Sequence, residues 1–228
     1  MDTNIQIAID GPVAAGKGDI ALRLAKELGI VYIYTGAMYR ALGLACMKRL
    51  VPMDDQKKVL KVLKSIHIDL QYSPVNEKPY LVFLDGEDVT HRIIKQDAAS
   101  AASSVGVHAA VRKEMVVKQK HIAKGKSVVM EGRDIGLRVL PDAHIKIYLT
   151  ASIEERAKRR LEQFRINKIE KSYDEVLSDT KKRDEQDMGR AADPLRKLSD
   201  SWELDTTGMT QGQVVDVIKL ELKKRGLL

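Results

Sequence analysis

A chain of 228 residues with 44% hydrophobic and 31% charged residues has the composition of a globular protein that buries a full core. Its net charge of +7 comes from basic residues interspersed with acids, and aromatic residues make up only 4%, so we expect no nucleic-acid partner. No apolar run approaches membrane-spanning length, the start has no signal-peptide pattern, and the single Cys46 excludes an internal disulfide. We therefore expect a cytoplasmic protein with no membrane contact.

The start of the chain predicts a strand, a glycine-rich loop and a helix. The apolar run Ile5–Ile9 has strand character, and apolar residues from Ile20 to Leu28 recur at helical spacing. Between them, residues 11–17 read GPVAAGK, which has the G-x-x-x-x-G-K spacing of a phosphate-binding loop. Lys17 would supply a mobile cation for a transferred phosphoryl group. A glycine-rich turn entering a helix is the alternative, but the strand before the loop and the helix after it favour the phosphate site.

A second strand and helix follow. Ile30–Tyr34 predicts a buried strand parallel to the first, and Ala37–Leu50 predicts a helix. Arg40 falls in the first turn of that helix, close to the carboxyl end of the preceding strand. Because ligands bind at that edge of open α/β sheets, Arg40 is a candidate for binding phosphate. Without this placement, a solvent-exposed arginine would be the better interpretation.

The pattern then changes from alternating strands and helices to a short sheet. Asp54 is expected to cap a helix whose apolar residues repeat from Val59 to Ile66. Residues 67–92 alternate polar and apolar side chains and contain the hairpin signal Asp85-Gly86. We expect a small antiparallel sheet here, which serves either as a substrate-binding subdomain or as decoration.

The rest of the chain returns to alternating helices and strands. The predicted strands are 128–130, 145–149 and 202–205, and the predicted helices lie within 96–124, 152–164 and 210–226. Two of these helices begin at capping-box sequences, Ser152 with Glu155 and Thr210 with Gln213.

Residues 165–190 are very polar and include a helical stretch. Arg183, Asp187 and Arg190 have the spacing i, i+4, i+7 and would share one helix face. A solvent-exposed ladder of ion pairs is the alternative to a binding role.

With these segments placed, the chain resembles the bacterial cytidylate kinases, which are nucleoside monophosphate kinases, along nearly its whole length. The matching segments are IDGPVAAGKG at 9–18, TGAMYR at 35–40, SAAS at 100–103, EGRDIG at 131–136, PDAHIKIYL at 141–149, SIEERAKRR at 152–160 and KRDEQDMGRAADPL at 182–195.

The resemblance implies an α/β fold of the P-loop NTPase type, with three layers, a parallel central sheet, a small antiparallel insert and a helical lid. One domain would span residues 1–228, with a core of 1–65 and 104–228, a CMP-side insert of about 66–103 and a lid of about 165–190. It also implies an enzyme that transfers the γ-phosphoryl group of ATP to CMP or dCMP with Mg²⁺. A monomer is expected.

The resemblance further implies which residues form the site. The ATP-binding residues are Gly11, Pro12, Val13, Ala14, Ala15, Gly16, Lys17, Gly18, Asp19 and Arg159, of which Arg159 packs on the adenine. The CMP-binding residues are Arg40, Ser103, Arg112, Arg133, Arg183, Asp187 and Arg190. The catalytic residues are Lys17, Arg133, Asp134 and Arg183, and Asp134 also organises Mg²⁺ through water. Arginines suit this chemistry because their planar forks grip two phosphate oxygens at once. The Asp187 carboxylate is a plausible acceptor for the cytosine amine.

Two residues depart from the family pattern. Tyr34 stands where the family has aspartate, and Asp19 stands where related kinases have threonine after the loop. Both favour an alternative function, a catalytically impaired nucleotide-binding paralogue that acts through partners. The intact Lys17, Arg133 and Asp134 favour the enzyme. A third interpretation, an RNA-binding module, has only the positive charge in its support.

Overall fold

The computed structural model describes residues 4–73 and 80–228. The strands are β1 (Gln6–Asp10), β2 (Val31–Tyr34), β3 (Ile68–Tyr72), β4 (Tyr80–Leu84), β5 (Glu87–Asp88), β6 (Val128–Gly132), β7 (Ile145–Thr150) and β8 (Trp202–Asp205). The α-helices are α1 (Lys17–Leu28), α2 (Thr35–Lys48), α3 (Gln56–Ser65), α4 (Thr90–Ile93), α5 (Gln96–Val105), α6 (Ala109–Ala123), α7 (Ile153–Ile166), α8 (Tyr173–Gly189) and α9 (Gln211–Lys224). A short π-helical turn covers Ile135–Val139.

The central sheet has five parallel strands in the order β2-β6-β1-β7-β8. Alternate residues of β1 point to opposite faces, as strand geometry requires. Ile7 and Ile9 pack with apolar residues of α1 and α9, whereas Ala8 packs with those of α6 and the π-helical turn. Helices therefore cover both faces of the sheet, and the predicted three-layer α/β fold with a parallel central sheet is confirmed.

The predicted antiparallel insert is also present. Strands β3, β4 and β5 form a three-stranded antiparallel sheet in which Ile68 pairs with Leu84. Val82, Leu84 and Val89 of this region pack on the apolar side chains of α2 and α3. The insert is thus joined to the first half of the molecule by a hydrophobic cluster. The part of the prediction that falls on residues 74–79 lies outside the described residues.

Several helix ends differ from the sequence predictions. Helix α2 begins at Thr35, two residues before the predicted start. The side chain of Asp55, and not that of Asp54, caps α3 by accepting the Lys58 N–H at 3.0 Å. Asp54 was the wrong choice because the backbone of Asp55 has the extended conformation that an N-cap needs.

The two predicted capping boxes have different outcomes. Thr210 and Gln213 form the complete reciprocal box at the start of α9. Ser152 caps α7 by accepting the Glu155 N–H at 3.2 Å, but the return bond is missing. The Glu155 carboxylate instead accepts Arg159 Nε at 2.9 Å, and the Ser152 N–H donates to Thr207.

Helices α7 and α8 pack against each other through a small cluster of their own that contains Ala157, Phe164 and Val176. The α8 helix starts with a complete capping box between Ser172 and Glu175. Its last turns lie beside the loop that follows β1, so this hairpin forms one wall of the cleft described below. Within 4–73 and 80–228, the structure contains no helix long and apolar enough to cross a membrane.

Candidate active site

The loop between β1 and α1 has the geometry of a phosphate cradle. Gly11 has φ +155°, and a Cβ atom there would lie 2.0 Å from the carbonyl oxygen of Leu149, so only glycine fits. Gly16 has φ +87° and forms the N-cap of α1 without a side-chain hydrogen bond. The first N–H groups of α1 therefore have no side-chain partner and present a partial positive charge to an anion.

Lys17 is buried at the end of this loop, with 5% of its surface exposed. Its Nζ donates a hydrogen bond to the carbonyl oxygen of Pro12 at 2.7 Å. Burial, helped by the nearby charge of Arg133, lowers the pKa of Lys17 to about 7. The amine is therefore held close to its own loop and is sensitive to any new negative charge placed beside it.

A cleft of about 1370 Å³ opens at the carboxyl edge of β1, β2 and β6. It brings together most of the predicted site residues, namely Val13, Ala14, Gly16, Lys17, Gly18, Asp19, Arg40, Ser103, Arg112, Arg133, Asp134, Arg183, Asp187 and Arg190. The predicted residues that do not line it are Gly11, Pro12, Ala15 and Arg159. The cleft is larger than the roughly 300–1,000 Å³ that is typical of a pocket for one small ligand.

Three arginines surround the carboxylate of Asp187 on one wall of the cleft. Arg133 Nε donates to Asp187 Oδ2 at 2.6 Å, Arg183 Nε lies 3.5 Å from the same oxygen, and Arg190 Nη1 lies 3.6 Å from Oδ1. Burial acts to raise the pKa of Asp187, but the charges of Arg133 and Arg183 outweigh it and lower the pKa to about 2. An anion thus already sits among guanidinium groups that would also suit a phosphate.

Arg112 and Asp134 form a second ion pair, which is deeply buried. Arg112 Nη2 lies 2.5 Å from Asp134 Oδ2, with side chains only 3% and 10% exposed, although neither atom has hydrogen-bond alignment. Arg112 Nε also lies 3.7 Å from Asp193, and its guanidinium is 5.7 Å from the centre of the Tyr39 ring. The pair fixes α6 to the segment that follows β6.

The remaining predicted residues lie in three different places. Arg40 Nη1 donates to the carbonyl oxygen of Ile93 at 2.8 Å and lines the cleft. The Ser103 hydroxyl donates to Gln186 at 2.9 Å, which joins α5 to α8. Arg159 does not line the cleft but lies beside the phosphate loop, and its Nη2 donates to the Thr206 carbonyl oxygen at 2.7 Å.

Sequence reasoning missed Arg160 and Glu131, which also line the cleft. The guanidinium of Arg160 lies 4.7 Å from the centre of the Phe164 ring, and burial, with the charges of Arg40 and Arg183, lowers its pKa. It therefore adds a cation to the phosphate-binding wall. Arg159 and Arg160 are consecutive on α7, so their side chains point in different directions. Only the packing of α7 shows that Arg160 is the one that lines the cleft.

Sequence reasoning also missed Asp10, which positions the backbone next to the site residues that follow β6. Its two carboxylate oxygens accept the N–H groups of Ile135 and Gly136, each at 2.8 Å. Burial raises the pKa of Asp10 to about 6, although these two hydrogen bonds act to lower it. Asp10 therefore holds the chain immediately after Arg133 and Asp134. An acidic residue at the end of a buried strand was the signal available in the sequence.

The two departures from the family pattern both lie on the cleft wall. Tyr34 packs edge-on against Tyr80 with ring centres 5.8 Å apart, and Tyr32 packs on Tyr80 at 6.1 Å. Burial raises the pKa of Tyr34 to about 12, so its hydroxyl stays neutral. Asp19 lies in the first turn of α1 and is exposed.

Comparison with known proteins settles the family. The model of the family described as cytidylate kinase matches residues 7–224. This chain belongs to the cytidylate kinase family. It is therefore an enzyme of the kinase class that phosphorylates nucleoside monophosphates, as the sequence resemblance implied.

Two of its relatives are a cytidylate kinase from Anoxybacillus flavithermus and one from Caldanaerobacter subterraneus. The first is 44% identical and covers 99% of each chain, and the second is 43% identical and covers 98% of this chain and 97% of the relative. Among solved structures, an uncharacterized protein from Eubacterium ventriosum aligns over 97% of this cytidylate kinase family member and 99% of its own chain. Its TM-score is 0.55 at 15% identity, so it supports the fold alone.

Proposed function

We propose that this cytidylate kinase transfers the γ-phosphoryl group of ATP to CMP or dCMP and releases ADP with CDP or dCDP. A phosphate oxygen of the acceptor forms the new bond to the γ-phosphorus, and the bond between that phosphorus and the bridging oxygen of ADP breaks. The observation that supports this proposal is that a phosphate loop and a cluster of arginines line the same cleft. The phosphate loop with Lys17 forms one side, and the guanidinium groups of Arg133, Arg183 and Arg190 gather around Asp187 on the other.

The donor nucleotide would use the phosphate loop. The N–H groups of the loop and Lys17 would hold the ATP phosphates, and Arg159, beside Gly16 and Thr206, would pack on the adenine. Arg160 would add a positive charge near the group in transit. Positioning and charge neutralisation are the main contributions that a protein makes to phosphoryl transfer.

The acceptor would bind on the opposite wall. Arg40, Arg133 and Arg183 would grip the CMP phosphate and the phosphoryl group in transit. A phosphate competes with Asp187 for the same guanidiniums, and the released carboxylate would then accept a hydrogen bond from the cytosine amine or the ribose. Ser103, Arg112 and Arg190 complete the base and sugar side of this proposal.

Magnesium fits this site as a companion of the ATP phosphates. Among the residues that the structure describes, no group of three or more His, Cys, Asp or Glu could hold a metal ion. Mg²⁺ nevertheless prefers phosphate and water oxygens and needs only one or two carboxylates. Asp134 and Glu131 line the cleft and supply such carboxylates, and Asp134 Oδ2 already lies 2.5 Å from Arg112 Nη2, so Asp134 would act on the ion through water. When bound, the ion would neutralise charge that develops on the phosphates.

Residues of about 165–190, from the end of α7 through α8, would act as the lid. Closure over both nucleotides would exclude water, which otherwise competes with CMP as the phosphoryl acceptor. We further propose that the enzyme is a cytoplasmic monomer with no nucleic-acid or membrane partner. The alternative of a catalytically impaired paralogue is not favoured, because the full-length relatives named above are described as cytidylate kinases.

A substrate panel tests the proposed function. ADP formation from ATP and Mg²⁺ is measured with CMP, dCMP, UMP or AMP as the acceptor, and the product nucleotides are separated by chromatography. We expect CDP and dCDP to form faster than UDP, and ADP production with AMP to stay near the background. A higher kcat/KM for AMP than for CMP would overturn the assignment of the acceptor.

ATP binding should take up protons above pH 7. Burial lowers the pKa of Lys17 to about 7, so many of its amines are neutral at pH 8 before ATP binds. Phosphate charge favours the protonated amine, and ATP affinity should therefore fall as the pH rises above 7. Calorimetric titrations in two buffers with different ionisation enthalpies count the protons taken up.

The Lys17→Met variant is the control for protons that ATP itself exchanges. We expect the wild-type enzyme to take up more protons than this variant at pH 8, and an equal number at pH 6. Equal uptake at pH 8 would mean that Lys17 is already charged before ATP binds.

Replacing Asp19 with threonine should tighten ATP binding by about tenfold. Two like charges about 5 Å apart repel by roughly 3 kcal/mol at an effective dielectric of 20. Asp19 is exposed, so solvent screens it and reduces the effect to about 1.4 kcal/mol or tenfold. ATP titration of both proteins measures the change.

The Asp19→Asn variant separates charge from the hydroxyl group. Because it removes only the charge, we expect it to give most of the gain that threonine gives. If both variants bind ATP as weakly as the wild type, the carboxylate does not face the phosphates, and Asp19 offers no reason for impaired activity.

A further inference from the structure

A carboxylate of α8 contacts the backbone of the phosphate loop. Asp184 is buried, and its Oδ1 accepts the backbone N–H of Val13 at 3.2 Å. Its Oδ2 accepts a hydrogen bond from Arg156 Nη1 at 2.5 Å. The proposed function gives neither Asp184 nor Arg156 a role, although both are buried charged residues next to the donor loop.

Arg156 completes the contact from α7. Its Nη1 also donates to the carbonyl oxygen of Val13 at 3.2 Å, and its Nε donates to the carbonyl oxygen of Ala151 at 3.0 Å. Both backbone groups of Val13 are thus held by one buried ion pair. The loop position of Val13 is fixed relative to the end of β7 and to α8 at the same time.

The same helix contacts the acceptor arginines. Asp187 follows Asp184 by three residues on α8 and holds Arg133 at 2.6 Å. Residues three apart on a helix are neighbours on its surface, so one turn of α8 carries both carboxylates. A phosphate that takes Arg133 from Asp187 would change the contacts of α8, and Asp184 would pass any displacement of that turn to Val13.

We propose that Asp184, together with Arg156, is a positioning clamp through which donor and acceptor nucleotides strengthen each other's binding. The proposal rests on the proposed function, because it needs both nucleotides in the one cleft. Asp184 touches the loop backbone and not the reacting atoms, so it acts through the loop. Coupling of this kind is reciprocal: the acceptor must improve donor binding by the same factor by which the donor improves acceptor binding.

The test measures this coupling directly. The Kd of β,γ-imido-ATP is determined by calorimetry with and without saturating CMP, and the ratio of the two values is the coupling factor. For the wild type we expect a factor of about five or more. Asp184→Asn keeps the size of the side chain but offers one acceptor oxygen where the carboxylate offers two. We expect its factor to fall below about two, while its affinity for CMP alone stays within about twofold of the wild type.

Two further variants keep the result interpretable. Glu185→Gln changes an exposed carboxylate on the same helix and should keep the wild-type coupling factor. If Asp184→Asn does not fold, the double variant Asp184→Asn with Arg156→Gln leaves no unpaired buried charge and should show the same loss of coupling. A coupling factor of one in the wild type, or a wild-type factor in the Asp184 variants, overturns the clamp. Failure of the wild type to phosphorylate CMP would instead overturn the proposed function.

Discussion

Replacing Arg133 with alanine should lower the turnover number for CMP by about 10²- to 10³-fold, while the fold is retained. Its guanidinium lies on the cleft wall beside Asp187 and can follow charge that moves from ATP to the acceptor. Such an interaction is stronger in the transition state than in the ground state, so its loss reduces kcat more than substrate affinity. The fold should survive because Asp187 keeps Arg183 and Arg190 as partners.

The measurement is kcat at saturating ATP and CMP, with thermal unfolding of both proteins recorded in parallel. Arg183→Ala, which removes a neighbouring guanidinium, should also lower kcat by orders of magnitude. Arg225→Ala is the matched control, since Arg225 pairs with Glu221 on α9 far from the cleft and should have no effect on kcat. A wild-type kcat for Arg133→Ala would show that this arginine does not stabilise the transferred group.

Replacing Arg112 with methionine should destabilise the enzyme by about 3–5 kcal/mol, because it leaves Asp134 as an uncompensated buried charge. For a chain of this size, that loss corresponds to a decrease in Tm of roughly 6–20 °C. The long methionine side chain preserves much of the packing of α6, so the effect reports chiefly on the ion pair. Urea unfolding at equilibrium measures the free energy of unfolding.

The double variant Arg112→Met with Asp134→Leu removes both charges and should recover most of the lost stability. An exposed ion pair provides the comparison. Lys197 Nζ lies 2.7 Å from Glu203 Oε2, and about half of each side chain is exposed. Lys197→Met should therefore lower the free energy of unfolding by less than about 1 kcal/mol. If Arg112→Met costs no more than Lys197→Met, water reaches the Arg112–Asp134 pair and the two charges are not buried together.

Local patterns predicted most of the fold because they depend on residues close together in the chain. The last strand was predicted at the residues where it is found, 202–205, and the Thr210–Gln213 box does start α9. The errors arose where two neighbouring residues offered the same chemistry. Asp54 and Asp55 both suit an N-cap, and backbone conformation decides between them. Glu155 had the spacing of a capping box, but Arg159 competes for its carboxylate.

Most residues of the site could be predicted from the sequence, but the residues with which they form ion pairs and hydrogen bonds could not. The spacing of Arg183, Asp187 and Arg190 predicted one shared helix face. Arg183 and Asp187 do lie on α8, whereas Arg190 follows the end of the helix with an extended backbone and still contacts Asp187. Arg133 and Asp187 are in contact although they are 54 residues apart in the sequence, and Asp184 and Val13 are 171 residues apart. Contacts over such distances depend on how α8 packs over the sheet, which no local periodicity encodes. That is why the contact between Asp184 and Val13 was missed.

The most direct test of the proposed phosphoryl transfer follows ³²P from γ-labelled ATP into CDP. Wild-type enzyme and Arg133→Ala are purified in parallel and assayed with CMP and Mg²⁺, so that a contaminating kinase would contribute equally to both. We expect label in CDP with the wild type, and a rate about 10²- to 10³-fold lower with the variant. Equal rates, or no labelled CDP with the wild type, would contradict transfer of the phosphoryl group to CMP in this cleft.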